Sequence, residues 1–200
     1  VVNFHCHSDM PCAELLSQLR RYLPEAIGIY SCTEAAPRFH ARLNARSKTY
    51  RYRLWNSEDP CVFDRRFVLV DPRPLDLDKM REAAAYLVGE HDFKSFCSIK
   101  TEAETTVRHI YGIEIIQHGC EIILRIRGGG FLYNMVRIIT GTLVSVGEGR
   151  IAPGSSQRDN WHNTNNRTGT LKCYTADNNC NIWHDNGNLE RNAEYNTGAC

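Results

Sequence analysis

Apolar positions recur at helical spacing in three stretches of the chain and alternate with polar ones in several others. Between Pro11 and Leu23, Cys12, Leu15, Leu16, Leu19 and Leu23 fall on one helix face, with Pro11 in the first turn and Pro24 just past the end. Asp78–Val88 predicts a second helix: Met80, Ala83, Ala84, Leu87 and Val88 form its apolar face, Asp78 can cap it and Gly89 can end it. Phe131–Val146 predicts a third through Met135, Ile138, Ile139, Leu143 and Val146. Strands are predicted at Val1–Phe4, Ala26–Cys32, Lys48–Trp55 and Phe67–Val70. Two more, Val107–Gln117 and Cys120–Arg127, pair as a hairpin around His118–Gly119. In Lys48–Trp55 the residues Lys48, Tyr50, Tyr52 and Leu54 share one face, and Thr49, Arg51, Arg53 and Trp55 the other. The order lacks a steady β-α-β-α rhythm. It therefore predicts an α+β fold, a mixed or antiparallel sheet with helices on one face, over a doubly wound parallel sheet.

Composition divides this picture. The 200 residues, 42% hydrophobic and 24% charged, suffice for one sizeable core or two small ones and exclude wholesale disorder. No apolar run approaches the ~20 residues of a membrane span, and no signal peptide is visible at Val1–Phe4. A first residue other than methionine suggests that the chain begins mid-protein. The asparagines are uneven: residues 1–153 hold four and residues 154–200 hold eleven, with Leu171, Ile182 and Leu189 the tail's only Leu, Ile, Val, Phe or Met residues. Such a segment cannot build a core, so 154–200 is expected to be a disordered or weakly ordered tail. The nine cysteines include no C-x-x-C pair, which argues against a metal site from local spacing. Their odd number and irregular gaps predict mostly free, buried thiols of a reducing, cytoplasmic compartment.

The net charge of +1 hides a local excess: residues 38–53 carry six Lys or Arg and no acid, interleaved with aromatic residues. Positive charge binds phosphate and aromatic faces stack on unpaired bases, so this stretch is a nucleic-acid candidate, although a solvated charged strand has the same composition. Gly128–Gly130 could cradle phosphate at a helix start, but a tight, closely packed strand-to-helix turn is the simpler expectation. Arg137 sits between Met135–Val136 and Ile138–Ile139, where a charge must reach solvent or find a partner; it is a candidate for a buried ion pair with a carboxylate. His91–Asp92–Phe93 has no further ligand at metal spacing and reads as a structural turn.

Five segments together resemble a known family. They are Val1–Phe4, Phe39-His40-Ala41-Arg42, Lys48-Thr49-Tyr50-Arg51-Tyr52-Arg53, Gly89–Phe96 and Phe131–Leu143, and they resemble the TruA family of tRNA pseudouridine synthases in that family's order, over residues 1 to about 153. The resemblance implies a pseudouridine synthase fold of two ferredoxin- or RRM-like subdomains. Residues 1–37 would be the remnant of a truncated N-terminal α/β subdomain, 38–153 the C-terminal catalytic one, and 154–200 a non-family tail. It implies an isomerase that converts uridine to pseudouridine in the anticodon stem-loop of tRNA, with no metal or organic cofactor, a possible homodimer, and no membrane. In that family a catalytic Asp attacks a nucleotide taken out of its stack. Arg137 matches the Arg that pairs with this Asp and keeps it ionised. Tyr50 matches the Tyr that packs on the target uracil. His40, Arg42, Lys48, Arg51 and Arg53 match surfaces that meet RNA.

The departures matter as much. The family carries its Asp in a G-R-T-D-x-G-V-H-A motif upstream of the V-V-N-F strand, and no Asp here has that context. An R-x-x-A-G-x-T-A-P-x-x-G-L-x-L segment is also unmatched in 154–200. These departures lead to the expectation that the 200 residues alone are inactive. The alternative reading is a non-catalytic RNA-binding remnant or a dimer partner.

Overall fold

The computed structural model describes residues 1–7, 9–97 and 104–154, and the backbone of 181–183. The chain divides into two packed units, Val1–Ala45 and Arg46–Cys200.

The first unit holds one helix, α1 (Cys12–Tyr22), started by Pro11 and closed by the bond from the Leu23 amide to the Leu19 carbonyl, 3.0 Å. The Arg20 guanidinium donates to the carbonyls of Ile29 and Tyr30, at 2.9 and 3.1 Å, and so ties the following segment to the helix. Val1–Phe4 and Ala26–Cys32 are not strands. An extended segment becomes a strand only by hydrogen-bonding to another, and among the described residues neither segment joins a ladder. The apolar side chains there stay exposed, Val2 at 85% and Tyr30 at 86%. Ala41 is the unit's single buried residue among those described; its amide donates to Asn3 Oδ1 at 2.9 Å.

The second unit runs β1 (Lys48–Trp55), β2 (Leu69–Val70), α2 (Leu77–Ala85), β3 (Gly89–Asp92), a 3-10 turn at Lys94–Phe96, β4 (Val107–His118), β5 (Glu121–Gly128), α3 (Met135–Gly147) and β6 (Asn181–Trp183). The sheet order is β2-β1-β5-β4-β3, with β6 also on β1. All pairings are antiparallel except the short parallel one of β1 with β2, so the sheet is mixed and the fold α+β. The predicted hairpin forms, and Gly119 at φ 57° makes its turn. Asp76, not Asp78, caps α2: its carboxylate accepts from the Lys79 amide at 3.1 Å, because Asp76 is the last extended residue and Asp78 already lies inside the first turn. His91 and Asp92 lie on the edge strand β3, paired with Arg108 and Val107, where a turn was expected; Gly89 at φ 111° lets the chain leave the helix directly into that strand. Of the asparagine-rich segment, only Gly154 and β6 lie within the described residues. There β6 pairs with Thr49–Arg51, whose outer edge offers the unsatisfied amides and carbonyls that an extended segment takes up.

Helices α2 and α3 cover one face of the sheet. Met80, Ala83, Ala84 and Leu87 meet Met135, Ile139, Leu143 and Val146 over Leu54, Ile110, Ile122, Leu124 and Ile126, all buried in one core. The free thiols described are exposed or half-buried, not buried as expected, because they sit in loops and at element ends; Cys97 alone among them packs against the rim of this core. No described helix is long and apolar enough to cross a membrane. Where α3 ends, the Gly147 carbonyl accepts from the Asp76 amide at 2.9 Å, so the two helices touch backbone to backbone. A Cβ on Gly147 would stand 2.7 Å from Met80 Sδ. Beside this contact Arg73 forks onto Asp71, at 2.7 and 2.6 Å, and reaches Glu148 at 2.5 Å; Arg150 meets the other Glu148 oxygen at 2.6 Å. The network joins the exit of β2 to the exit of α3.

Two stability predictions follow from this corner. Gly147→Ala should cost about 1–3 kcal/mol in urea unfolding, and combining it with Met80→Ala should cost less than the sum of the two single changes. Burial by itself pushes the Asp71 carboxyl up, but the hydrogen bonds and charge of Arg73, with the charge of Arg150, outweigh it and hold the group below the ordinary carboxylate range. A carboxylate depressed on folding stabilises the fold above its unfolded pKa, and the contribution is lost as pH falls through the folded value. Urea midpoints should therefore drop as pH falls below about 4, and Asp71→Asn should lower the neutral-pH midpoint while flattening that drop.

Candidate nucleic-acid interface

Strand β1 is rich in β-branched, aromatic and long side chains and lies in the sheet interior, paired with β5 at every residue from Lys48↔Gly128 to Trp55↔Glu121. This register sends its alternate side chains to two chemically different surfaces.

Toward the helices point Lys48, Tyr50, Tyr52 and Leu54. The Tyr50 ring meets Phe131 edge-on, with centroids 4.9 Å apart at 81°. Phe131 reaches this position because it crosses Gly128, where a Cβ would come within 3.0 Å of its ring and 2.8 Å of the His109 carbonyl. The glycine run is thus a close-packed turn at its first residue, and the Gly129 amide donates to the same carbonyl at 3.1 Å. Asn134, left-handed at φ 59°, then reverses the chain into α3, a conformation that Asn tolerates better than most residues. The first turns of α3 bury Met135, Val136, Ile139 and Thr140, which leaves Arg137 half-buried on the stripe between. Among the described residues no carboxylate lies within ion-pairing distance of Arg137 and no acceptor receives its guanidinium.

The helix-free face carries Thr49, Arg51, Arg53 and Trp55. The pairings set Arg51 beside Arg125, and Arg125 beside Glu114 on β4; Thr49 is beside Arg127, and Arg127 beside Gly112. Arg53 is already committed, to Glu121 and to Asp64 at 2.5 Å. The hydrogen bond to Glu121 raises its already high pKa against the effect of burial, with Asp64 adding to the rise. Arg51 keeps a buried Nε with no hydrogen-bond partner among the described residues. In the first unit the His40 ring accepts from the amides of Arg42 and Leu43, both at 3.2 Å, and so caps a local turn; the Arg42 side chain is exposed. The basic stretch 38–53 is therefore divided: His40 and Arg42 lie in one unit, and Lys48, Tyr50, Arg51 and Arg53 in the other with Arg137.

The sequence reading passed over Tyr111, Glu114, Arg125 and Arg127, which line the helix-free face together with Thr49 and Gly112. A signal was present. In β5 the alternation that buries Ile122, Leu124 and Ile126 turns Arg125 and Arg127 to the opposite side, and counting back from the His118–Gly119 turn sets Glu114 against Arg125.

Residues 83–177 match the family model described as tRNA pseudouridine synthase, a match that continues past Gly154, where the asparagine-rich segment begins. The chain is 46% identical over 153 residues to tRNA pseudouridine synthase A of Brevibacillus brevis, covering 76% of this chain and 63% of that protein. It is 45% identical over 153 residues to tRNA pseudouridine synthase A 1 of Bacillus cereus, covering 74% and 62%. With tRNA pseudouridine synthase A of Bacillus licheniformis it shares 41% over 157 residues, covering 78% and 64%. The chain spans about three fifths of the length of these curated relatives. Similarity of this extent, together with the ordered motifs on β1 and α3, places the chain in the TruA family of tRNA pseudouridine synthases.

Proposed function

We propose that the protein to which these residues belong isomerises uridine to pseudouridine in the anticodon stem-loop of tRNA, as a cytoplasmic enzyme that works as a homodimer. The observation that carries this reading is the pairing of Tyr50 with the entrance of α3. An aromatic ring, positioned by Phe131, stands on the strand whose outer face is basic, while the half-buried Arg137 guanidinium has no anion among the described residues.

The chemistry divides among these groups. The N1–C1′ bond of the uridine breaks, the freed uracil turns, and C5 joins C1′; C5 then gives up its proton and N1 gains one, so the reaction is an isomerisation with no net redox change. Tyr50 packs on the uracil ring and keeps it in place while it is detached. Arg137 receives the carboxylate of the attacking Asp, holds it ionised and aims it. His40, Arg42, Lys48 and Arg51 meet RNA, each from its own surface, whereas Arg53, with two carboxylate partners, stiffens β1.

Two assays test this. The complete protein should form pseudouridine in unmodified tRNA, with Arg137→Ala lowering turnover by about 10- to 100-fold, the worth of one charge-assisted hydrogen bond, and Tyr50→Ala lowering it comparably. The 200-residue polypeptide, which has no Asp in the G-R-T-D context, should form none while still binding tRNA in a salt-dependent way. Turnover by the 200-residue polypeptide would overturn the assignment of the nucleophile, and wild-type turnover in both variants would overturn the roles given to Tyr50 and Arg137.

A further inference from the structure

The helix-free face of the second unit contains a groove of about 350 Å³ lined by Thr49, Tyr111, Gly112, Glu114, Arg125 and Arg127. Its floor is three adjacent strands, β1, β5 and β4, and its chemistry is uneven in a specific way. The Arg127 guanidinium lies over the Tyr111 ring, 6.0 Å from the centroid, and meets no carboxylate among the described residues. The His109 ring lies near by, its centroid 5.0 Å from that of Tyr111 and tilted by 42° to it. Tyr111 is half exposed, at 49%, because the irregularity between Ile110 and Gly112 turns it out of the pleat. Arg125 is held only loosely by Glu114, at 3.6 Å, and Arg51 stands next to it on β1. Two arginines, Arg125 and Arg127, thus line the groove against one carboxylate.

Exposed aromatic rings on a sheet, spaced among arginines with spare hydrogen-bond donors, suit a polyanion whose subunits have flat faces. A protein surface of opposite charge would satisfy the arginines but would leave no reason for an aromatic ring turned outward by a bulge. We propose that this groove is a second RNA-contact site, on the face of the sheet opposite Tyr50, which takes an unpaired nucleotide outside the catalytic site: its base stacks on Tyr111, and its phosphates lie against Arg125 and Arg127. It rests on the reading of the protein as RNA-binding, but not on catalysis. Glu114 sets a limit on the site, since its charge repels phosphate and occupies Arg125.

The test is fluorescence-anisotropy binding of a short labelled oligouridylate to the 200-residue chain, with a duplex RNA of equal length for comparison, at several salt concentrations. Tyr111→Ala should weaken oligouridylate binding by about tenfold with an unchanged salt slope, and Tyr111→Phe should restore it. Arg125→Ala combined with Arg127→Ala should weaken binding and lower the salt slope by about 1.4, two phosphate contacts on a single strand. Glu114→Gln should tighten binding by roughly twofold, because it frees Arg125, a direction that simple loss of structure would not produce. Thermal melts confirm that each variant folds. Affinities within about twofold of wild type in both the Tyr111→Ala and the double-arginine variants overturn the proposal. So does a change in self-association without a change in RNA affinity, which would make this face a contact between copies of the chain. Pseudouridine formation is read separately, in the complete protein: absence of turnover there with the binding effects intact counts against the proposed function alone, and turnover there with no binding effect in the variants counts against this site alone.

Discussion

Eight consecutive residue pairs join Lys48–Trp55 to Glu121–Gly128, and the register of that ladder decides what every charged or aromatic side chain of β1 can touch. Because the side-chain period of a strand is two, a slip by one residue would send Tyr50 to the helix-free face and Arg51 into the core. Burial prevents the slip. Ile122, Leu124 and Ile126 are almost fully shielded on one side, and moving them outward would forfeit the apolar contacts that hold α2 and α3 on the sheet. The same alternation that makes the core therefore makes the basic face. Structure and candidate chemistry are two sides of one strand.

The helix that carries Arg137 depends on backbone fit at both ends. At its start Phe131 crosses Gly128 to reach Tyr50, and Asn134 takes a left-handed turn; at its end Gly147 lets α3 approach Met80 closely. Small residues at the two points of closest approach leave the middle of the helix free to bury its apolar side and to hold one guanidinium half out of water. A charge in that position is expensive unless something of opposite sign meets it, and the role proposed for Arg137 rests on that cost.

Much of the second unit was legible from the sequence. The existence of the helices predicted at 78–88 and 131–146, found at Leu77–Ala85 and Met135–Gly147, the hairpin around His118–Gly119 and the two faces of Lys48–Trp55 all rest on short-range periodicity, and local spacing decides those but not the helix ends. Segments that need a distant partner were not legible. Val1–Phe4 and Ala26–Cys32 have strand-like composition but join no ladder among the described residues, whereas Gly89–Asp92 looks like a turn and becomes an edge strand because β4 lies within reach. Asp78 looked like the cap of α2, and the helix began two residues earlier at Asp76, an ambiguity that local pattern leaves open. Arg53 counted toward a basic run until the fold brought Asp64 and Glu121 to it.

By itself the sequence determined the elements that periodicity specifies, the ordered motifs that mark the family, and the local excess of positive charge between residues 38 and 53. The tertiary structure alone decided which of those charges remain available. It divided the basic stretch between two units, neutralised Arg53, and gathered Arg51, Arg125, Arg127 and Tyr111 from three strands onto one surface. The physical reason is that charge pairing and groove formation depend on distances across hydrogen-bonded strands, between residues about 70 positions apart in the chain. No window of sequence contains those distances, which come into being only when the ladder closes.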